Sequence, residues 1–287
     1  MFRKIVFIML FVCLLAPVAM AAYPWDNQLE WKSTAGDANW YNAANWSQEG
    51  TLPCPTDGTG PGPTFYCAVL PNQPGPRIGN QSNNGNSTCS MLSLNPWDPT
   101  SWGAQDCNVS IMDTALDVNC GAAIQINSQT DYDSYLGTSS LGSRAILNVY
   151  GGTVHTDLNG GTSNLTGITI GGGASGLGMA YGMLNIYGGE VNVPRVVLNF
   201  GEVGLYGGTL QVCTDGNFSV NTNHPGAALD KVRIDGGTFI LDGNQVPALA
   251  PLITSGYIIC ERGTLRSPVY NAGTNLTTLV ADVNYCV

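Results

Sequence analysis

Four times in this chain an apolar-alternating run meets a double glycine, and a second alternating run follows. The runs are ILNVYGGTV from Ile146, MLNIYGGEVNV from Met183, VGLYGGTL from Val203 and VRIDGGTF from Val232. No other feature restricts the fold so strongly. Alternation with period two sends successive side chains to opposite faces of a strand. Before the corner, one face carries Leu147 and Val149, Leu184 and Ile186, Val203 and Leu205, and Val232 and Ile234. After it, the same face carries Val154, Val191 with Val193, Leu210 with Val212, and Phe239 with Leu241. The other face carries Asn148 and Tyr150, Asn185 and Tyr187, Gly204 and Tyr206, and Arg233 and Asp235. A double glycine can cradle a phosphate, but recurrence at one phase of a repeat marks a corner, where glycine reaches positive φ at no Cβ penalty.

The Gly-Gly pairs begin at 151, 188, 207 and 236, in steps of 37, 19 and 29 residues. The segment GITIGGG divides the longest step, with Ile168 and Ile170 inward and Gly171 where a tyrosine would stand. The expected repeat is therefore about 16 to 21 residues, with one insertion around Thr222 to Leu229. A unit so short cannot bury its own apolar face and must stack on its neighbours. The expectation is an all-β fold, a parallel β-helix (β-solenoid) with an N-terminal Trp/Cys-rich cap and a C-terminal β cap. An antiparallel sandwich is the alternative.

Four regions follow: a signal peptide at 1–22, an N-terminal cap at 23–106, repeats at 107–243 and a C-terminal cap at 244–287. Residues 1–22 have Arg3 and Lys4, an apolar run from Ile5 to Leu15 and a small-residue cleavage site at Ala19-Met20-Ala21. That apolar run is shorter than the ~20 residues a membrane span needs, and no later segment supplies one. All six tryptophans (Trp25, Trp31, Trp40, Trp46, Trp97, Trp102) lie in the N-terminal region. In the tail, QVPALAPLITSG reads as a short, proline-interrupted helical turn ending at Gly256, and YIICERG and NLTTLVADV read as strands.

Removing residues 1–22 leaves eight basic against twenty acidic residues, a formal charge of −12. Nucleic acid and anionic membrane are disfavoured as partners, because both need basic patches. Eight cysteines remain: Cys54, Cys67, Cys89, Cys107, Cys120, Cys213, Cys260 and Cys286. An even number in an exported chain reads as disulfides, with Cys260 and Cys286 tying down the tail. A metal site lacks both C-x-x-C spacing and histidines, His155 and His224 being the only two.

Three stretches carry a resemblance: WKSTAGDANWYNAANWSQEGTLP near the start, GMLNIYGGEV in the middle, and LITSGYIICERGTLRSPVYNAGTNLTTLVADV at the end. They resemble bacterial secreted β-solenoid repeat proteins of the PEP-CTERM-sorted and autotransporter-like type. The resemblance implies an extracellular β-helical protein, usually without a known activity, and supplies no catalytic residues. The chain departs from that group in ending NYCV, without an apolar sorting helix or basic tail, so no anchoring is expected.

Candidate chemistry is sparse. Gly171 to Gly176 satisfies G-x-G-x-x-G, with Glu190 where a ribose-binding acid would stand. Gly178 and Gly182 interrupt the helix such a site requires, so no cofactor is expected. Asp131 with Asp133, weak calcium candidates, and Asp113 with Asp117 are the carboxylate pairs that a polysaccharide-cleaving β-helix would present. Neither has a basic partner nearby, since Arg144 and Arg195 fall elsewhere in the repeat. Tyr150, Tyr187 and Tyr206 hold equivalent outward positions and read either as a carbohydrate-binding ladder or as a structural stack. Seven N-x-[ST] sequons occur, at Asn45, Asn80, Asn86, Asn108, Asn164, Asn217 and Asn275. The expected function is that of an exported, non-enzymatic scaffold with a structural, cell-surface or adhesive role, in contact with extracellular polysaccharide or surface components. A carbohydrate-active β-helix is the alternative.

Overall fold

The computed structural model describes residues 28–31, 39, 42–45, 66–69, 77–78, 87–88, 91–94, 107–112, 117–119, 123–126, 144–156, 167–172, 181–213, 217–223 and 227–284. The signal peptide, five of the six tryptophans, Cys54, Cys89, Cys120, Cys286, Asp113, Asp131, Asp133 and His224 lie outside them. Trp31, Cys67, Cys107 and Asp117 lie in strands whose side chains are not described there.

The described chain is mostly β, arranged as three sheets visited in rotation. The first sheet runs Gln28–Trp31, Tyr66–Val69, Met91–Leu94, Ala123–Ile126, Gly167–Ile170, Val196–Leu198 and Phe218–Val220. The second runs Arg77–Ile78, Cys107–Ile111, Arg144–Val149, Tyr181–Ile186, Gly201–Leu205, Lys231–Ile234 and Ile258–Ile259. The third begins Ser87–Thr88, Asp117–Asn119, Thr153–His155, Glu190–Val193, Thr209–Val212 and Thr238–Asp242. Every pairing among these strands is parallel, which sets the antiparallel sandwich aside.

Each circuit uses three strands, one more than the two per repeat that the sequence suggests. GITI does not divide the 37-residue step: Ile168 pairs with Ile124 and Val196 in the first sheet, away from the ILNVYGG strands. In the second sheet Asn148 pairs directly with Asn185, and Asn185 with Gly204, so circuits of 37 and 19 residues stack on each other. Extra length is taken up between strands, where loop-closure cost grows only slowly. The same ladders also continue below residue 107, as far as Gln28–Trp31.

Every inward position assigned from the alternation is buried. Leu147, Leu184, Val203 and Val232 form one column, and Val154, Val191, Leu210 and Phe239 another. Ile124, Ile168 and Val196 line the first sheet. The three sets make one apolar core.

The corners explain the double glycines. Gly189 has φ 72°, and a Cβ there would lie 2.3 Å from the Gly152 carbonyl oxygen below. A Cβ on Gly188 would lie 2.5 Å from the Tyr150 oxygen. Gly152 O also accepts from Glu190 N–H at 2.8 Å, and Gly189 O, which a Cβ on Gly208 would approach to 2.6 Å, accepts from Thr209 N–H at 2.9 Å.

The parallel pattern stops at the C-terminal end. The helix α1 (Val246–Thr254) stands in chain order where the next strand of the first sheet would come. Pro247 suits its first turn, and Leu249 is buried in the core. Tyr257 N–H and Gly256 N–H return to Leu252 and Ile253, with Gly256 at φ 73°. Leu276–Val283 then pairs antiparallel with Thr238–Asp242, and Gly263–Leu265 and Val269–Asn271 line its other edge. Pro268 interrupts that outer line, and Arg266 bonds Asp282 across it, features that blunt an exposed sheet edge.

Candidate functional site

The outer face of the second sheet holds the densest grouping of chemically capable side chains among the described residues. Its first component is the tyrosine row. Tyr150, Tyr187 and Tyr206 each follow the last strand residue of their circuit, and each backbone N–H donates one circuit down, to Ile111, Val149 and Ile186 at 2.7, 2.8 and 2.9 Å. With the backbones in register, the rings stack. Tyr150 and Tyr187 have centroids 5.0 Å apart and planes 8° from parallel; Tyr187 and Tyr206 are 5.1 Å and 17°. Beside them Asn185 Nδ2 donates to Asn148 Oδ1 at 3.0 Å. The column then changes to Gly204, because the Tyr206 ring lies across that position, 2.5 Å from where a Cβ would be.

This geometry bears on both readings of the row. A sugar stacks on an aromatic side chain through the ring face. Here the inner faces are turned to one another, with no gap for a pyranose. Tyr150 and Tyr187 are 43 % and 44 % exposed. Burial followed by Tyr150 raises the Tyr187 phenol, and burial followed by Glu202 raises that of Tyr206, so both stay protonated donors.

Asp235 ends the row. It occupies the tyrosine position one circuit on, where alternation expects an outward, solvated side chain, yet it is buried. Its Oδ1 accepts from Glu261 N–H at 2.8 Å and Arg262 N–H at 3.1 Å, and the Cys260 thiol also bonds the carboxylate. The turn so gathered places the Arg262 guanidinium 6.0 Å over the Tyr206 ring.

Next to it, Arg233 joins two carboxylates. Its Nε lies 2.7 Å from Glu202 Oε1, and its Nη1 contacts Glu261 Oε1. Their attraction outweighs partial burial and holds the guanidinium above its usual range. Glu202 also faces Tyr181, whose ring packs edge-on against Phe200 at 5.2 Å. Burial first, then Glu202, pushes the Tyr181 phenol up to about 12. Asp230, fully buried, accepts from Gly201 N–H at 2.8 Å.

The other sequence candidates are dispersed. Arg144 pairs in register with Tyr181, while Arg195 sits at a corner of the first sheet, where its carbonyl accepts from Ile168 N–H. Gly171 is glycine for the corner it makes: φ is 72°, and a Cβ would meet the Phe200 carbonyl oxygen at 2.0 Å. Gly182 lies within a strand, as Glu190 does. The disulfide expectation is not met at Cys213 and Cys260, which are free thiols. Cys260 is engaged by Asp235, and Cys213 follows the last residue of Thr209–Val212, in a different sheet, beside Asp242; burial is the main cause raising both thiols. Among the described residues no three His, Cys, Asp or Glu side chains cluster to hold a metal ion. Of the sequons, Asn45 is buried, its Nδ2 donating to Asn39 O at 3.1 Å.

Glu202, Asp230 and Glu261 escaped the sequence reading. Only Asp235 left a signal, as the aspartate in VRIDGG where its relatives in the repeat have tyrosine. Compared with family models, with curated proteins and with solved structures, the chain matches none.

Proposed function

We propose that the chain is a three-sided parallel β-helix, exported from the cell, that serves as a non-enzymatic scaffold with a structural, surface or adhesive role. The observation carrying this reading is that the reactive groups on its best candidate face neutralise or cover one another. Glu202 and Glu261 both pair with Arg233, so the one cation of this cluster engages both carboxylates. Asp235 is used in holding a turn, and the tyrosine faces stack. The resemblance to bacterial secreted β-solenoid proteins points the same way.

The convergence of two carboxylates on an arginine is the one feature favouring a carbohydrate-active reading. A glycan array and a lyase and hydrolase screen on the purified chain separate the two. The scaffold reading expects no polysaccharide cleavage. Cleavage that disappears in Arg233→Ala would establish the carbohydrate-active alternative instead.

A further inference from the structure

Three phenols stacked on successive circuits make a row of oxidisable rings held at fixed separation, two of them open to solvent. We propose that Tyr150 and Tyr187 are a site of oxidative cross-linking, coupled to dityrosine by hydrogen peroxide with a haem peroxidase. The balance is simple. Each phenol loses one electron and one proton; the two radicals join through a carbon–carbon bond ortho to the hydroxyls; each ortho proton shifts back to oxygen. Two tyrosines and one peroxide give one dityrosine and two waters.

Several observations point to this pair. The centroids are 5.0 Å apart and the planes 8° from parallel, so the two radicals would form on adjacent rings. Coupling requires the two rings to turn about their side-chain torsions until two ortho carbons meet. Both rings are more than two-fifths exposed, so an external oxidant reaches them. Tyr187 and Tyr206 are nearly as close, but the Arg262 cation over Tyr206 opposes loss of an electron there. The product is a covalent staple between circuits 37 residues apart in sequence, placed where the neighbouring loops are long.

The test is peroxidase and peroxide treatment of the full chain at high dilution, with dityrosine fluorescence and peptide mass mapping. The expected product is a monomer with one Tyr150–Tyr187 linked peptide, two hydrogens lighter than its parts. Phenylalanine keeps the stacking ring and removes the oxidisable hydroxyl, so the variants should stay folded. Tyr187→Phe is expected to abolish the intramolecular link and Tyr206→Phe to leave it intact. No dityrosine, dityrosine only between molecules, or a link unaffected by Tyr187→Phe overturns the proposal.

Discussion

At single residues, the fold is controlled by how closely one circuit lies on the next. Gly189 needs both its positive φ and the space a Cβ would fill. Backbone strain of this kind costs about 1–3 kcal/mol before any clash is added. Gly189→Ala is therefore expected to lower the thermal midpoint by several degrees, and an unchanged melt would refute the corner geometry. Thr156 offers the opposite case. It follows His155, which pairs with Asn192, and so shares a column with Val193, Val212 and Leu241. It is fully buried, and its hydroxyl has no partner. An unsatisfied buried hydroxyl costs about 1–3 kcal/mol, so Thr156→Val should raise the midpoint. A fall would mean that the hydroxyl is bonded after all. Tyr181 makes the pH behaviour specific. Its phenol titrates near 10.0 in the unfolded chain and about 12 in the fold, so its contribution is complete below pH 10 and drains away as pH rises toward 12. Spectrophotometric titration should show a phenol ionising near pH 12 whose contribution Tyr181→Phe removes.

Among the elements, the strands flanking the double glycines were legible because each carries two inward apolar residues at a fixed distance from the same corner. The first sheet was hidden. GITI, RVVL and FSV are short, their distances from the glycines vary, and Phe218 and Val220 are only partly buried. The glycine after GITI makes it look like a corner strand, although Ile168 pairs with Ile124 and Val196. The C-terminal helix was readable from Pro247, Pro251 and Gly256, and the structure agrees with it. The ion-pair cluster was not readable, because it depends on Glu261 returning in space to Arg233 from 28 positions along the chain. Its anchor, Asp235, predicts how the closing segment behaves. Asp235→Ala removes the acceptor for the Glu261 and Arg262 amides. Amide exchange should then accelerate around residues 257–266, while the ladders below Lys231 keep their protection. Uniform acceleration, or none, would show that Asp235 does not hold this turn.

For the whole molecule, each circuit is stabilised by burying its apolar face against its neighbours, as in other stacked architectures. The long loops between strands are therefore tolerated, whereas the stacked columns and corners are not free to vary. The scaffold reading rests on that regularity together with the ion-paired, stacked polar face. Both depend on the parallel, three-strand circuit. Methyl-labelled NMR tests that circuit most directly through the column Leu147, Leu184, Val203 and Val232. Strong methyl contacts are expected between each neighbour and the next, 147 to 184, 184 to 203 and 203 to 232, and none between Leu147 and Val232. If Leu147 instead contacts Ile168 as its in-sheet neighbour, or the column is missing, the three-sided parallel architecture is wrong.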